Sequence, residues 1–225
     1  MIETQKFLNY FVNANLVIDG IQGAKTNAAI QEAIIKLRKK FEKEGLTWDE
    51  NFNFIGIRTN NEFTDMFTDW FVCFAYDTIF AVPSTTKSGK LGVVEGQNNW
   101  HKGINGVLVI APNQQIDYLL VNPNDPTETF PNKHWSGRCF LYQDKNFYYY
   151  RDNNNDSKVD YGKKHYGGAY EIGGNVHTWT GFNFGLIYNL SKGCQVCQEM
   201  YFDPIEDLWI KFNKDKRITY TILEW

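Results

Sequence analysis

The chain has 225 residues, 22% charged and 43% hydrophobic, a balance that excludes long disorder and allows one domain with its own core, or one domain and a small appendage. Lys and Arg number 23 against 26 Asp and Glu, a formal charge of −3, so there is no global basic footprint for nucleic acid. No run approaches the roughly 20 consecutive apolar residues of a membrane span; the longest, 70–82, is broken by Asp77 and Thr78. The first residues hold no basic stretch followed by an apolar one and predict no secretory signal.

In chain order, Phe7, Leu8, Phe11 and Val12 recur at helical spacing and predict a first helix. A turn-rich break follows at 17–23. A second helix is predicted from about Ala24 to Glu44, with Ala29, Ile30, Ala33, Ile34, Leu37 and Phe41 on one face. Lys36, Arg38, Lys39, Lys40 and Lys43 crowd its later half, where positive charge suits the negative end of the helix dipole. Gly45 has the place of a C′ glycine. Beyond it the runs become short, aromatic and punctuated by Asn, Gly and Pro, and the aromatic share of 16% suits strands. Strands are predicted at 54–58, 69–76, 79–83, 107–110, 116–121, 139–143, 147–151 and 172–177, with a hairpin turn at 144–146. Asp203-Pro204 opens a short helix to about Asn213. Ile218, Tyr220 and Ile222 alternate as a last strand. The expected class is α+β: a helical segment over 1–48 and a mainly β domain over 49–225.

Four cysteines do not make a disulfide scaffold in a chain of this length. Cys73 and Cys139, in aromatic surroundings, read as buried thiols. The strongest chemical constellation is Gly173-Gly174-Asn175-Val176-His177 followed, after sixteen intervening residues, by Cys194 at the end of Ser191-Lys192-Gly193-Cys194. A thiol attacks a carbonyl as thiolate and needs a proton acceptor. His is the side chain that takes that proton near neutral pH. A glycine before the cysteine leaves adjacent N–H groups uncrowded to face an oxyanion. A lone His and Cys need not meet, however.

Cys194-Gln195-Val196-Cys197 is formally C-x-x-C, open to three readings: a redox pair, half of a zinc site, or a nucleophile with Cys197 packed behind it. A βαβ context for the first and a second ligand pair for the second are both missing. Asp152, Asn154, Asp156 and Asp160 alternate as oxygen ligands do at the start of a calcium loop, but Ser157 replaces the expected Gly and Lys163 the bidentate Glu. The competing reading is a polar hairpin tip with side-chain to backbone bonds. His101, His134 and His165 read as loop residues, and no carboxylate pair for glycosidase chemistry stands out among the 26 acids.

Gly-x-x-His followed by Ser-x-Gly-Cys resembles the signature of the L,D-transpeptidase (YkuD-type) catalytic domain. The matching positions are His177, Ser191, Gly193 and Cys194. Lys192 stands where the family has His, and Gln195-Val196 where it has an aliphatic residue and Arg. The form Ser-x-Gly-Cys-Gln-Val looks like a divergent phage-type branch, as do Tyr150-Arg151-Asp152-Asn153 with Asp156, and Ser84-Thr85-Thr86 with Gly89. The resemblance implies a β-sandwich holding a cell-wall peptide, His177 as base, Cys194 as acyl-accepting nucleophile and no cofactor. Gly193, Ser191 and Lys192 would shape the oxyanion loop, and Gln195, Trp179 and Asn175 would contact substrate. Ile18-Asp19-Gly20-Ile21 with Gly23, Thr26, Ala29 and Ile30 resembles the core of the helical peptidoglycan-binding domain. Together these imply an endolysin-like stem-peptide hydrolase, an L,D-transpeptidase or an L,D-carboxypeptidase. Its partner would be bacterial peptidoglycan, with no nucleic acid and no membrane insertion. It would wait in the host cytoplasm for a holin or travel with the virion. The other classes open are a non-catalytic wall-binding or virion structural protein, and a muramidase or zinc hydrolase.

Overall fold

The computed structural model describes residues 1–64, 66–87, 107–122, 140–152, 156, 158–168, 174–179, 193–212 and 216–225, with Phe140 and Trp179 as backbone only. The fold is α+β, and most of its elements are strands. Helices α1 (Ile2–Val12) and α2 (Ala24–Lys43) come first. Then follow β1 (Phe52–Arg58), β2 (Asp69–Ala75), β3 (Thr78–Thr85), β4 (Val107–Ile110), β5 (Gln114–Val121), β6 (Phe140–Tyr142), β7 (Phe147–Asp152), β8 (His165–Gly167), β9 (Val176–Trp179) and β10 (Gln195–Gln198). Helix α3 (Asp203–Phe212) and β11 (Arg217–Glu224) end the chain. Among the described residues no helix is long and apolar enough to cross a membrane.

Helix α2 ends where Gly45 takes φ +68°. Leu46 N–H bonds Phe41 O at 2.9 Å and Gly45 N–H bonds Glu42 O at 3.1 Å, the paired bonds of a Schellman stop. Strands β2 and β3 are joined by Tyr76-Asp77, both at positive φ, a turn whose twist matches the strands it links.

Eight strands close into a barrel in the order β1-β11-β5-β6-β9-β10-β3-β2, and β4-β7-β8 form a separate small sheet. The expectation of a sandwich gives way here to a ring, for a definite reason. β10, which directly follows the 191–194 stretch read as a nucleophile loop, pairs parallel with β9 and antiparallel with β3. The parallel β1–β11 pairing joins the two ends of the domain.

The alternation of side chains sorts two cores. Phe54, Phe71, Cys73, Val82, Tyr118, Leu141, Val176, Cys197 and Tyr220 face inward. Ile55, Ile57, Val72, Phe74, Ile79, Ala81 and Leu223 face outward, where α1 and α2 cover them. These strands are therefore apolar on both faces. Phe7 packs edge-on to Trp70 at 5.5 Å, Phe11 meets Trp225 at 4.4 Å, and the buried Ala81 amide donates to Thr4 Oγ1 at 3.2 Å. The helical segment 1–48 thus shares one core with β1, β2, β3 and β11. At the barrel's two ends the cover differs. Trp209 of α3 packs edge-on to Phe54 at 5.0 Å, and Phe212 stacks on Phe52 at the start of β1. At the other end, the last residue of β1, Arg58, donates to Ile110 O of the small sheet at 2.9 Å.

Because Leu37 of α2 is fully buried in the shared cluster, Leu37→Ala should cost about 2–5 kcal/mol. Calorimetry should show one transition moving down as a whole. Two transitions, with only the smaller displaced, would mean that the helices fold as a separate module.

Candidate active site

The rim of interest lies at the end covered by the small sheet. β9 and β10 run parallel, with Gln195 opposite Val176 and Val196 opposite His177. Gln195 N–H donates to Asn175 O at 2.8 Å and extends the ladder one step before both strands. Val176 and Cys197 face the barrel interior. The alternation then places His177 and Val196 on the outer face, and Cys194, one residue before β10, on the same side. Thr85 of β3 is opposite Val196 on the other flank.

Two inward tyrosines hold the strand starts. Tyr118 of β5 donates to Gly174 O at 2.5 Å, and the Tyr220 hydroxyl of β11 donates to Gln195 Oε1. Both rings are fully buried. Tyr220 fits only because Gly56 lacks a side chain; a Cβ there would stand 1.7 Å from the hydroxyl. Gly193 and Gly174 have a related origin. A Cβ on Gly193 would meet Leu108 Cβ of β4 at 2.6 Å, and one on Gly174 would meet Phe147 Cζ of β7 at 2.6 Å. The glycine before the cysteine therefore admits the small sheet.

His177 is 5% exposed, and its Nδ1 lies 2.7 Å from Thr178 O. A carbonyl only accepts, so Nδ1 carries the proton and Nε2 is the basic nitrogen. Burial pulls the imidazole pKa down to about 4, with the Thr178 carbonyl acting the other way. Cys194 is half-buried. Burial pushes its thiol up to about 11, opposed by a hydrogen bond from the Asn175 backbone N–H. Thiol and imidazole are thus both neutral around pH 7.

The other expected site residues take varied places. Asn175 is buried, and its Oδ1 accepts from Gln143 N at 2.9 Å. Gln195 is fully buried and engaged with Tyr220 inside the barrel. Ser191, Lys192, Asn154, Cys139, His101 and His134 lie outside the described residues, as does the side chain of Trp179. Cys197 is an inward thiol near Cys73, on the face of β10 opposite to Cys194. Asp152 Oδ2 accepts from Asp160 N at 2.9 Å and Asp156 Oδ1 from Lys158 N at 2.8 Å, so these carboxylates bind backbone as a polar turn does. Among the described residues no three His, Cys, Asp or Glu side chains gather as metal ligands do.

One buried cluster escapes a sequence reading. Asp69, at the start of β2, accepts from Lys87 Nζ at 3.0 Å and from Thr86 Oγ1 at 2.7 Å. Arg58 donates to Thr86 O at 3.1 Å. All four residues are at most 2% exposed. Burial lowers the Lys87 pKa and Asp69 opposes the fall. The signal available was the Ser84-Thr85-Thr86 stretch, which says nothing of its partners. A cavity of about 560 Å³ lined by Asp49, Asn51, Gln115, Arg217 and Thr219 lies elsewhere and touches no residue of the rim.

No family model, curated protein or solved structure matches this chain.

The depressed His177 pKa has a definite sign. An ordinary histidine takes up a proton as pH falls through 6.5, and the folded chain refuses it until about 4. The unfolded state binds more protons in that window, so stability falls as pH drops from 6.5 toward 4. The loss attributable to this group is about 3 kcal/mol at about 1.4 kcal/mol per unit. Denaturant titrations of wild type and His177→Gln across this range should differ by that slope; parallel curves would refute it. Gly193→Ala should cost about 1–3 kcal/mol through the Leu108 contact, whereas Gly162→Ala, with nothing within 4 Å, should be neutral.

Proposed function

We propose that the chain is a cysteine-dependent peptidoglycan stem-peptide hydrolase of the L,D-transpeptidase kind. The observation that carries this reading is the parallel β9–β10 pair. It sets a Thr178-oriented His177 and Cys194 on one side of one rim, at the spacing the family resemblance assigns to base and nucleophile. The family's sandwich would correspond here to the barrel wall with the small sheet laid against its end.

The chemistry follows from the neutral pair. His177 Nε2 takes the proton from Cys194 Sγ as Sγ attacks the stem-peptide carbonyl carbon. Backbone N–H groups near Gly193 and Cys194 would face the developing oxyanion. The tetrahedral adduct collapses to a thioester, and the departing amine takes the proton from Nε2. Water then adds to the thioester with His177 again as base, releasing the acid and regenerating the thiol. An amine in place of water would give exchange. Residues 18–30 would add wall affinity through the second resemblance.

Purified peptidoglycan digested by wild type should release stem-peptide fragments with masses that name the bond. Cys194→Ala should release none, and His177→Gln should be slower by about 10²–10⁴. The acid limb of kcat/KM should fall near pH 4, where buried His177 protonates. Equal activity of wild type and Cys194→Ala would sink the reading and favour a glycan or metal route; binding to sacculi without products would make this a binding protein.

A further inference from the structure

The cavity of about 560 Å³ lies on the outer face of the barrel, at the end covered by α3. Thr219 and Thr221 of β11 and Gln115 of β5 line it, on the strand faces opposite to the inward Ile218, Tyr220 and Ile116. Loop residues Thr47, Asp49 and Asn51 line it too, as do the rings of Phe52 and Phe212, stacked at 4.9 Å with 14° between their planes. The loop is held in shape by the strands beneath it. Gln115 Nε2 donates to Thr47 O at 2.8 Å and to Thr221 Oγ1 at 3.2 Å, and Gln115 Oε1 accepts from Thr47 N at 2.9 Å. Asp49 Oδ1 accepts from Asn51 N at 2.7 Å, and buried Asn53 accepts through Oδ1 from Asp49 N at 3.1 Å. The cavity is therefore shaped before a ligand arrives, which removes part of the ordering cost of binding. Its volume falls within the range of about 300–1,000 Å³ common to small-ligand sites.

The polar groups left over define the ligand class. The hydroxyls of Thr47 and Thr219 and the side-chain amide of Asn51 are exposed and bond no described residue. Each of them can both donate and accept. Among the described lining residues the one cation, Arg217, is joined to Asp117 at 3.1 Å and forked onto Asp144. Asp49 adds a negative charge, so the lining disfavours phosphates and carboxylates. What fits is an uncharged molecule with hydroxyls, an amide, and a flat C–H face to lie on an aromatic ring. We propose that this cavity binds an uncharged N-acetylated saccharide: Asn51 pairs with the acetamido group, Thr219 and Thr47 with ring hydroxyls, and Phe52 and Phe212 with the C–H face of the sugar. The site stands independently of Cys194. On the proposed function, the saccharide is the glycan of the same polymer whose stem peptide is cut, held away from the rim.

The test titrates the purified full chain with the β-1,4-linked tetramer of N-acetylglucosamine and follows backbone amide NMR shifts. Saturable shifts should centre on Asn51, Gln115 and Thr219. Asn51→Leu and Thr219→Val should each weaken binding about three- to tenfold, the loss of one hydrogen bond, and Thr219→Ser should bind as wild type. Both side chains are exposed, so the spectrum away from the cavity should stay that of wild type and report an intact fold. Tyr166→Ala removes the exposed ring that pairs with Tyr148 on the small sheet, a competing aromatic surface, and should leave binding unchanged. Excess inorganic phosphate should not displace the saccharide. No shifts at millimolar saccharide, undiminished binding in both Asn51→Leu and Thr219→Val, loss in Tyr166→Ala, or displacement by phosphate overturns the proposal. The probe contains no stem peptide, so the two readings fail separately. Saccharide binding without peptide release from peptidoglycan would refute the proposed function and leave this site standing; peptide release without saccharide binding would do the reverse.

Discussion

Four residues, Gln195–Gln198, carry the closure of this barrel. They pair with β9 on one flank and β3 on the other, and without them the ring is open between those strands. The parallel sense of the β9–β10 pair matters most. Parallel neighbours begin at the same end of a sheet, so residues entering both strands share one rim. An antiparallel pairing would have sent His177 and Cys194 toward opposite ends. Parallel pairing also demands a long crossover, which the separation of these residues provides.

Everything around the rim serves that seam. The tyrosines of β5 and β11 tie down its inner side through Gly174 O and Gln195 Oε1. Leu108 and Phe147 press on it through positions where only glycine fits. The Asp69–Lys87–Thr86–Arg58 cluster pins the end of β3 beside it. The buried Lys87–Asp69 pair is tolerable because each polar end has a close partner; removal of a partner is what makes such a cluster costly. The helices act on the adjoining wall, of which β3 pairs with β10. They cover the outer face of β1, β2 and β3, which would otherwise expose a broad apolar sheet.

Much of this was legible in the sequence because periodicity reports local burial. The helical faces, the Gly45 stop, the strand at Val107–Ile110 and the helix opened by Asp203-Pro204 all lie where the pattern places them. β10 was not legible as a strand. Gln-Val-Cys-Gln carries no clear alternation, since its inward positions are a polar Gln195 and a small Cys197. β8 is three residues long and leaves no period to read. Ring closure was hidden for a different reason: it depends on β1–β11 and β3–β10 pairings between distant segments, which no local window contains. Gly193 shows the same limit within the site. Its identity is readable, but the reason for it is Leu108, 85 positions upstream.

Burial keeps thiol and imidazole both neutral at rest. On the proposed reading the thiolate is therefore a species of the reaction path, formed as the carbonyl is attacked. Each donor aimed at the oxyanion then lowers a barrier without stabilising the ground state. What the fold supplies to such a site is the parallel seam that brings the starts of β9 and β10 to one rim.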